Sequence, residues 1–202
     1  EQPQSGRFRR FHQFGCESFG VKEPVVEAEL INMMYTFFSE LGLETKIHIN
    51  NIGSPEDREN YIVELEGYLK SKKSYLSEHS KEKLESNPLR ILDSKQEEDQ
   101  PIIEEAPQII DWIEEESKQY MMDVVEYLDK LEIPYTLDST LVRGLDYYND
   151  TVFEFFEPGR EDKAQSALGG GGRYDSLTKQ LGDKEEMPAA GFSIGLERVL
   201  KA

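Results

Sequence analysis

The amino-acid sequence predicts an α+β fold, with an antiparallel sheet flanked by helices and interrupted by an inserted helical domain. Strand-like segments occur at residues 46–50 and 151–156, whereas most residues between them repeat their apolar positions at helical spacing. Strands, then helices, then strands are typical of a sheet domain that carries a helical insert. We therefore predict three regions: a first part of the core at residues 1–50, a helical insertion domain at 51–134 and a second part of the core at 135–202.

The first region is predicted to contain a strand, a helix and a second strand. Basic or polar residues alternate with phenylalanines between Arg7 and Phe14, which favours extended structure. Pro24 opens a helix whose apolar residues recur at helical spacing, and Gly42 ends it. Residues 46–50 alternate like a half-buried strand.

The insert is predicted to form helices joined by polar turns. Ser54 is followed by a first-turn proline and by an acid three residues on, which is a helix start signal. A second helix covers residues 78–85, and a third begins near Pro107. Residues 97–100 are predicted to be a polar loop.

The third region returns to strand signals. Residues 151–156 are rich in aromatic and β-branched side chains and predict a strand. The four glycines at 169–172 predict a loop, and residues 173–181 are compatible with a helix. Residues 189–194 predict a strand that feeds a helix from Leu196.

Composition and charge exclude several classes of protein. The formal net charge is −18, and residues 54–140 hold 23 acidic and 10 basic residues, so the acidity belongs mostly to the middle. Overall acidity disfavours a nucleic-acid binder, whose affinity rests on Lys and Arg. No apolar run is long enough to span a membrane, and the start lacks a signal peptide. The single cysteine, Cys16, excludes an internal disulfide framework and fits a reducing cytoplasm.

Two pairs near the beginning are candidate ligand contacts. Arg7 and Arg9 share one face of a predicted strand, and arginine matches phosphate geometry, so the pair suits a nucleotide. A solvated basic strand is the alternative, and these residues alone favour it. Gln13 and Glu17 lie four residues apart, so in a strand both point the same way. Together they suit an ammonium or an imidazole N–H, or they are a pair of surface polar residues.

Three later segments concentrate further candidates. Arg143 precedes a glycine and two tyrosines, Tyr147 and Tyr148, whose hydroxyls can donate or accept hydrogen bonds. An ordinary turn before a strand is the alternative. The glycine run before Tyr174 is either a flexible loop or a surface for a flat ligand. Arg198 lies in the first turn of a helix, where a phosphate partner would explain it, or it is an exposed arginine. The histidines lack ligand spacing, so a zinc site is not predicted.

These segments together resemble histidyl-tRNA synthetases, in order along nearly the whole chain. Residues 6–17 resemble class II motif 2, residues 141–148 and 167–175 resemble two histidine-specific signatures, and residues 190–198 resemble motif 3. The middle helices resemble the insertion domain of that family. The resemblance implies a class II synthetase fold, ATP and L-histidine as substrates, Mg²⁺ associated with ATP, and tRNA(His) as the acceptor. It also implies a cytoplasmic homodimer with no membrane association.

The resemblance also assigns roles to single residues. Glu17 and Tyr148 would hold the two imidazole nitrogens of histidine. Gln13 would contact the α-amino group, with Tyr147 and Tyr174 shaping the pocket. Arg143 would lie beside the α-phosphate and the substrate carboxylate and act in catalysis.

The resemblance assigns ATP contacts to Arg7, toward the terminal phosphates, and to Arg198, near the adenine and phosphates. It implies that motif 1, an upstream arginine and an anticodon-binding domain lie outside this chain, so the chain alone is expected to be weakly active or inactive. The alternative is a histidine-sensing, synthetase-like regulatory subunit of histidine biosynthesis. A purely acidic interaction module would explain the middle of the chain but not its two ends.

Overall fold

A computed structural model describes residues 9–143, 147–160 and 166–202, and six strands within them form one sheet. The strands are β1 (Gln13–Phe19), β2 (Lys46–Asn51), β3 (Thr136–Leu137), β4 (Asn149–Phe156), β5 (Gly169–Arg173) and β6 (Ala189–Gly195). Their order across the sheet is β1-β6-β5-β4-β2-β3. All neighbours are antiparallel except β2 and β3, which are parallel. The predicted α+β class is confirmed, with one parallel pair in the sheet.

The α-helices of the described ranges flank this sheet. They are α1 (Val25–Glu40), α2 (Pro55–Ser71), α3 (Glu78–Ser86), α4 (Gln100–Glu104), α5 (Glu115–Lys130), α6 (Leu177–Gln180) and α7 (Leu196–Val199). Among the described residues, no helix is both long enough and apolar enough to cross a membrane.

One face of the sheet carries the main apolar core, which α1 and α5 cover. Phe153 and Phe155 of β4 are fully buried there, and the ring of Phe38 from α1 lies 5.5 Å from that of Phe155. Burying each such side chain contributes about 1.5–3 kcal/mol. Because side chains alternate along a strand, Glu154 between these phenylalanines points to the opposite face.

A second apolar cluster covers that opposite face and joins it to the insert. Leu65 and Leu69 of α2 are fully buried in this cluster, which also contains Val152 of β4 and Tyr148. The Tyr61 hydroxyl donates to the Pro107 carbonyl at 2.7 Å. The helical insert therefore packs over the sheet face that turns away from α1 and α5.

A buried carboxylate, that of Asp99, joins residues 77–99 of the insert by hydrogen bonds. Asp99 is fully buried and accepts hydrogen bonds from the hydroxyls of Ser77, Ser80 and Ser94 at 2.8, 2.6 and 2.5 Å, and from the Ser77 N–H at 2.8 Å. Burial would raise the pKa of Asp99, but these hydrogen bonds outweigh burial and hold the pKa below its ordinary value.

Several local predictions are confirmed. α1 follows Pro24 and ends before Gly42, whose φ of 75° suits glycine. The predicted cap of α2 forms, since Ser54 Oγ accepts from the Asp57 N–H at 3.1 Å and Asp57 Oδ2 accepts from the Ser54 N–H at 3.0 Å. The second helix and the strands of β2, β4 and β6 also lie where the pattern placed them.

The glycine run was predicted wrongly as a loop. Residues 169–172 belong to β5, which pairs with β4 on one side and β6 on the other. Ladder hydrogen bonds on both sides hold a strand that local propensity disfavours. The segment after it is also less helical than expected, because Arg173 is part of the strand and only Leu177–Gln180 forms a helix.

Three helix and strand boundaries differ from prediction. The third long helix of the insert begins at Glu115 rather than near Pro107, and Ile109–Asp111 before it forms a 3₁₀ turn. The last residue of the predicted polar loop starts the short helix α4. The first strand begins at Gln13, and the residues from Arg9 up to it are not in a strand. The three-region division of the chain stays a prediction.

Candidate active site

The strand register gathers polar side chains on the sheet face that turns toward the insert. Gln13 pairs with Gly195, and Glu17 pairs with Gly191, which in turn pairs with Gly172. Residues directly opposite in an antiparallel pair share a face. Glu17 therefore lies beside a row of strand positions that carry no side chain.

Bare backbone at these positions leaves room for side chains to lie across the sheet. A Cβ at Gly191 would fall 1.5 Å from Glu17 Oε2 and 2.3 Å from its Cδ. A Cβ at Gly170 would fall 2.9 Å from Arg143 Nη1 and 3.0 Å from Glu154 Cγ. Gly170, Gly172 and Gly191 thus form a floor without side chains under Arg143, Tyr148 and Glu17, whereas strand alternation places Gly169 and Gly171 on the other face.

Glu17 and three tyrosines form the first part of the site. The Tyr174 hydroxyl donates a hydrogen bond to Glu17 Oε2. The ring centroids of Tyr147 and Tyr148 lie 4.6 Å apart, and that of Tyr174 lies 5.7 Å from the first and 6.2 Å from the second. Burial and the Glu17 carboxylate raise the pKa of Tyr174, so its hydroxyl stays protonated.

These four residues form a group of three aromatic rings, in which Tyr174 meets the other two edge to face, with a carboxylate beside it. Tyr148 and Tyr174 are buried, whereas Glu17 is exposed and open to an incoming group. Burial also raises the pKa of Tyr147, so this phenol is neutral as well. The arrangement can accept an N–H at Glu17 and either donate to or accept from a second nitrogen through a phenol.

Arg143 adjoins this group of aromatic rings and is held against the sheet. Its guanidinium carbon lies 5.5 Å from the centroid of the Tyr148 ring, and its Nη1 donates to Glu154 Oε1. Burial alone would lower the pKa of Arg143, but Glu154 and Tyr148 outweigh burial and raise it. Arg143 Nε is buried with no hydrogen-bond partner among the described residues, so one donor remains for a ligand.

Arg198 approaches the same carboxylate from the start of α7. Its Nη1 donates to the Ala167 carbonyl at 2.5 Å. Burial lowers the pKa of Arg198, and the charge of Glu154 opposes that effect. Two guanidinium groups therefore lie close enough to Glu154 to respond to its charge.

The structure brings some of the predicted site residues together and leaves others apart. Glu17, Tyr147, Tyr148 and Tyr174 form one group, and Arg143 joins it through Tyr148. Gln13 shares the face of Glu17 but lies at the far end of β1 and is exposed. Arg198 is linked to the group by the charge of Glu154, which acts on its guanidinium. Arg7 lies outside the described residues.

Sequence reasoning missed Glu154, although its signal was present. The run at residues 151–156 predicts a strand, and the one acid among its aromatic residues has to leave the core face. Glu154 has a side-chain exposure of 21%, and burial raises the pKa of its carboxyl against the opposing charge of Arg143. A half-hidden carboxylate in a sheet cleft is a functional candidate.

Arg173 was also missed, and it stabilises the site from the core face of the sheet. Its side chain is fully buried on the core face, where Nε and Nη2 donate to the two carboxylate oxygens of Glu27 at 2.5 and 2.9 Å. Its Nη1 donates to Asp175 Oδ1 at 2.9 Å, and the Tyr120 hydroxyl donates to Glu27 at 2.9 Å. Although burial alone would lower the pKa of Arg173, Glu27 raises it. This ion pair ties α1 to the strand end that presents Tyr174.

The insert reaches the site through α2. Arg58 Nη1 donates to the Tyr148 carbonyl at 2.5 Å. A cavity of about 330 Å³ separates α2 from the Arg143 segment, with Arg58 and Ile62 on one side, Val142 and Arg143 on another, and Arg90 at the turn after α3. No group of three or more potential metal-ligating side chains occurs within the parts of the chain that the structure describes.

Comparison with known proteins places this site in context. A family model described as histidyl-tRNA synthetase matches residues 1–199. The histidine–tRNA ligase of Streptococcus mutans is 46% identical over 204 residues, which cover 99% of this chain and 46% of that protein. The corresponding ligase of Limosilactobacillus fermentum is 47% identical over 202 residues, with 99% and 47% covered. The chain spans about half the length of the curated relatives it matches.

Solved structures give the same picture of the fold. The apo histidyl-tRNA synthetase of Staphylococcus aureus matches 96% of this chain and 47% of its own, with a TM-score of 0.71 and 36% identity. A Bacillus halodurans protein described as an ATP phosphoribosyltransferase regulatory subunit/histidyl-tRNA synthetase matches 95% of this chain and 53% of its own, with a TM-score of 0.59. Its identity of 22% supports a likeness of fold alone.

Proposed function

The chain belongs to the histidyl-tRNA synthetase family, and from that premise we propose that it carries part of the site where L-histidine is activated by ATP and then passed to tRNA(His). The observation that carries the proposal is the contact chain from Glu17 through Tyr174 and Tyr148 to Arg143. This chain of contacts joins a carboxylate and phenols to a cation, which are the groups that would bind histidine and a nucleotide side by side.

The carboxylate end is proposed to bind histidine. Glu17 accepts a hydrogen bond from the N–H of one ring nitrogen, and the Tyr148 hydroxyl hydrogen-bonds to the other. Tyr147 and Tyr174 line the pocket. Gln13 on the same face is proposed to contact the α-amino group. A pocket with partners for both nitrogens leaves those partners unpaired when an apolar analogue binds, and such unpaired groups can give roughly 10⁴-fold discrimination.

The cationic end is proposed to bind the nucleotide. Adenylate formation joins a carboxylate oxygen of histidine to the α-phosphorus while the bond from that phosphorus to the leaving pyrophosphate breaks, and negative charge builds up on the oxygens around phosphorus. Arg143 is already held in place and keeps an unused N–H, so it is proposed as the catalytic residue that stabilises this charge. One preorganised donor is worth about 3–4 kcal/mol in such a site. Arg198 is proposed to contact ATP from the other side of Glu154, and Arg7 the terminal phosphates.

The remaining partners follow from family membership and stay proposals. Mg²⁺ is proposed to arrive with ATP, bound to its phosphates. A homodimer and a cytoplasmic location are proposed on the same ground.

A histidine-sensing regulatory subunit is the second candidate, because the Bacillus halodurans protein shares the fold. The ligase is favoured because relatives named histidine–tRNA ligase are 46–47% identical over 99% of this chain. The presence of Arg143 and Arg198 around one carboxylate also supports a phosphate-handling site.

Histidine-dependent ATP–pyrophosphate exchange separates the two candidates. The protein at its natural full length is expected to show exchange, which Arg143→Ala lowers at least 100-fold without a change in melting temperature. Arg160→Ala is the matched control, because Arg160 is an exposed arginine that pairs with Glu157 beyond the end of β4. Tyr148→Phe is expected to raise the KM for histidine more than that for ATP. Histidine binding without any exchange would favour the regulatory subunit.

A further inference from the structure

Glu154 pairs with Arg143, the residue proposed for catalysis, and is not itself one of the proposed ligand contacts. Its neighbours Phe153 and Phe155 are fully buried in the core, so strand alternation places Glu154 on the opposite face, together with the apolar Val152. A carboxylate costs free energy to bury unless it is paired, and here the partner is the residue proposed for catalysis. The pairing therefore fixes the position of the Arg143 side chain.

The geometry around the pair restricts where the Arg143 guanidinium can lie. Gly170 lies beside Glu154 on β5, and the absence of a Cβ there leaves the space that Arg143 Nη1 occupies. The Tyr148 ring borders the guanidinium, with 5.5 Å between ring centroid and guanidinium carbon. The exposed fractions of the Arg143 and Glu154 side chains are 18% and 21%, so the pair lies inside the cleft.

Glu154 also acts on the second arginine. Burial lowers the pKa of Arg198, and the charge of Glu154 opposes that effect. A carboxylate near two cations reduces the repulsion between them.

We propose that Glu154 is a positioning residue, which holds Arg143 over the glycine floor so that the remaining guanidinium donors face the α-phosphate. This inference rests on the proposed function of the site. A guanidinium has five N–H donors, so one can be given to Glu154 while others face a ligand. Fixing the arginine before ATP binds avoids reorganisation during the reaction, which is the condition for strong electrostatic stabilisation.

The first test is Glu154→Gln in the protein at its natural full length, because glutamine keeps the shape and removes the charge. In histidine-dependent pyrophosphate exchange, kcat is expected to fall 10- to 100-fold, with the KM values for histidine and ATP within about threefold of wild type. Glu154→Asp keeps the charge at shorter reach and is expected to recover part of kcat. Glu157→Gln is the control, because it removes the carboxylate of the ion pair beyond the end of β4.

The second test does not depend on activity. Phenylglyoxal modifies accessible arginines, and peptide mass spectrometry gives the rate at each position. Arg143 is expected to react at least fivefold faster in Glu154→Gln than in wild type, and Glu157→Gln is expected to leave that rate unchanged.

The two readouts separate the inference from the proposed function. An inactive wild type in which protection of Arg143 still depends on Glu154 would refute the enzyme and support the positioning role. An active wild type with kcat and modification rate unchanged in Glu154→Gln would overturn the positioning role. If Glu154→Gln does not fold, Glu154→Asp becomes the test. A Glu154→Asp protein with wild-type kcat and wild-type protection of Arg143 would also overturn the positioning role.

Discussion

Gly191→Ala tests whether the bare floor of the site is needed for histidine recognition. The added Cβ would fall 1.5 Å from Glu17 Oε2, and ordinary contact needs about 3.5 Å, so the carboxylate must retreat by roughly 2 Å. That movement breaks its hydrogen bond with Tyr174 and removes it from the proposed position of the imidazole N–H. A hydrogen bond to a charged group contributes about 1.5–3 kcal/mol, which corresponds to roughly 10- to 150-fold in affinity.

The KM for histidine in pyrophosphate exchange is therefore expected to rise 10- to 150-fold, while the KM for ATP stays within about threefold. The Cβ would also approach the Cys16 carbonyl to 2.8 Å, so a loss of about 1–3 kcal/mol in the free energy of unfolding is expected. Urea titration measures that loss and identifies the conditions in which the variant is folded.

Gly67→Ala is the matched control, because it makes the same change in the unfolded chain. Gly67 lies within α2, and a Cβ there would meet no atom within 4 Å. It is expected to raise the free energy of unfolding by about 0.5–1 kcal/mol and to leave both KM values unchanged. A folded Gly191→Ala protein with wild-type KM for histidine, or with both KM values raised equally, would refute this account of the floor.

Three further changes test other parts of the structure. Arg58→Lys removes the planar donor from the Tyr148 carbonyl and is expected to raise the KM for histidine about 3- to 10-fold; an unchanged KM would contradict a link between insert and pocket. Glu27→Ala leaves the buried arginine of β5 without its main partner, so urea titration should show a loss of about 3–5 kcal/mol, and a loss under 1 kcal/mol would contradict it. Burial alone would raise the pKa of Asp138, but hydrogen bonds, led by that from His48 at 2.8 Å, lower it to about 2. Asp138→Asn should therefore lower the free energy of unfolding by about 2 kcal/mol at pH 7. This difference should shrink as the pH falls from about 4 toward 2, because the carboxyl then becomes protonated in the folded protein as well. A difference that does not change with pH would contradict the role given to Asp138.

Local chemistry made part of this architecture predictable. The cap at Ser54, the stop at Gly42 and the apolar periodicities of α1 and β2 act within a few residues, so the pattern placed them correctly. The four-residue spacing of Gln13 and Glu17 likewise implied a shared face, which the strand register confirms.

Pairings between distant parts of the chain were not predictable in this way. Residues 169–172 became a strand because β4 and β6 both pair with them, although glycine alone favours a turn. Arg173 pairs with Glu27, which lies 146 residues away, and Arg58 reaches the carbonyl of a residue 90 positions away.

The amino-acid sequence was enough to recognise the family and to predict most helices, strands and candidate side chains, because periodicity, caps and short motifs act within a few residues. Strand pairing, by contrast, makes residues 169–172 a strand and brings Glu154 into contact with Arg143. The physical reason is that the position of a charge depends on which strands pair and which faces are covered, and those contacts join residues that are far apart in the chain.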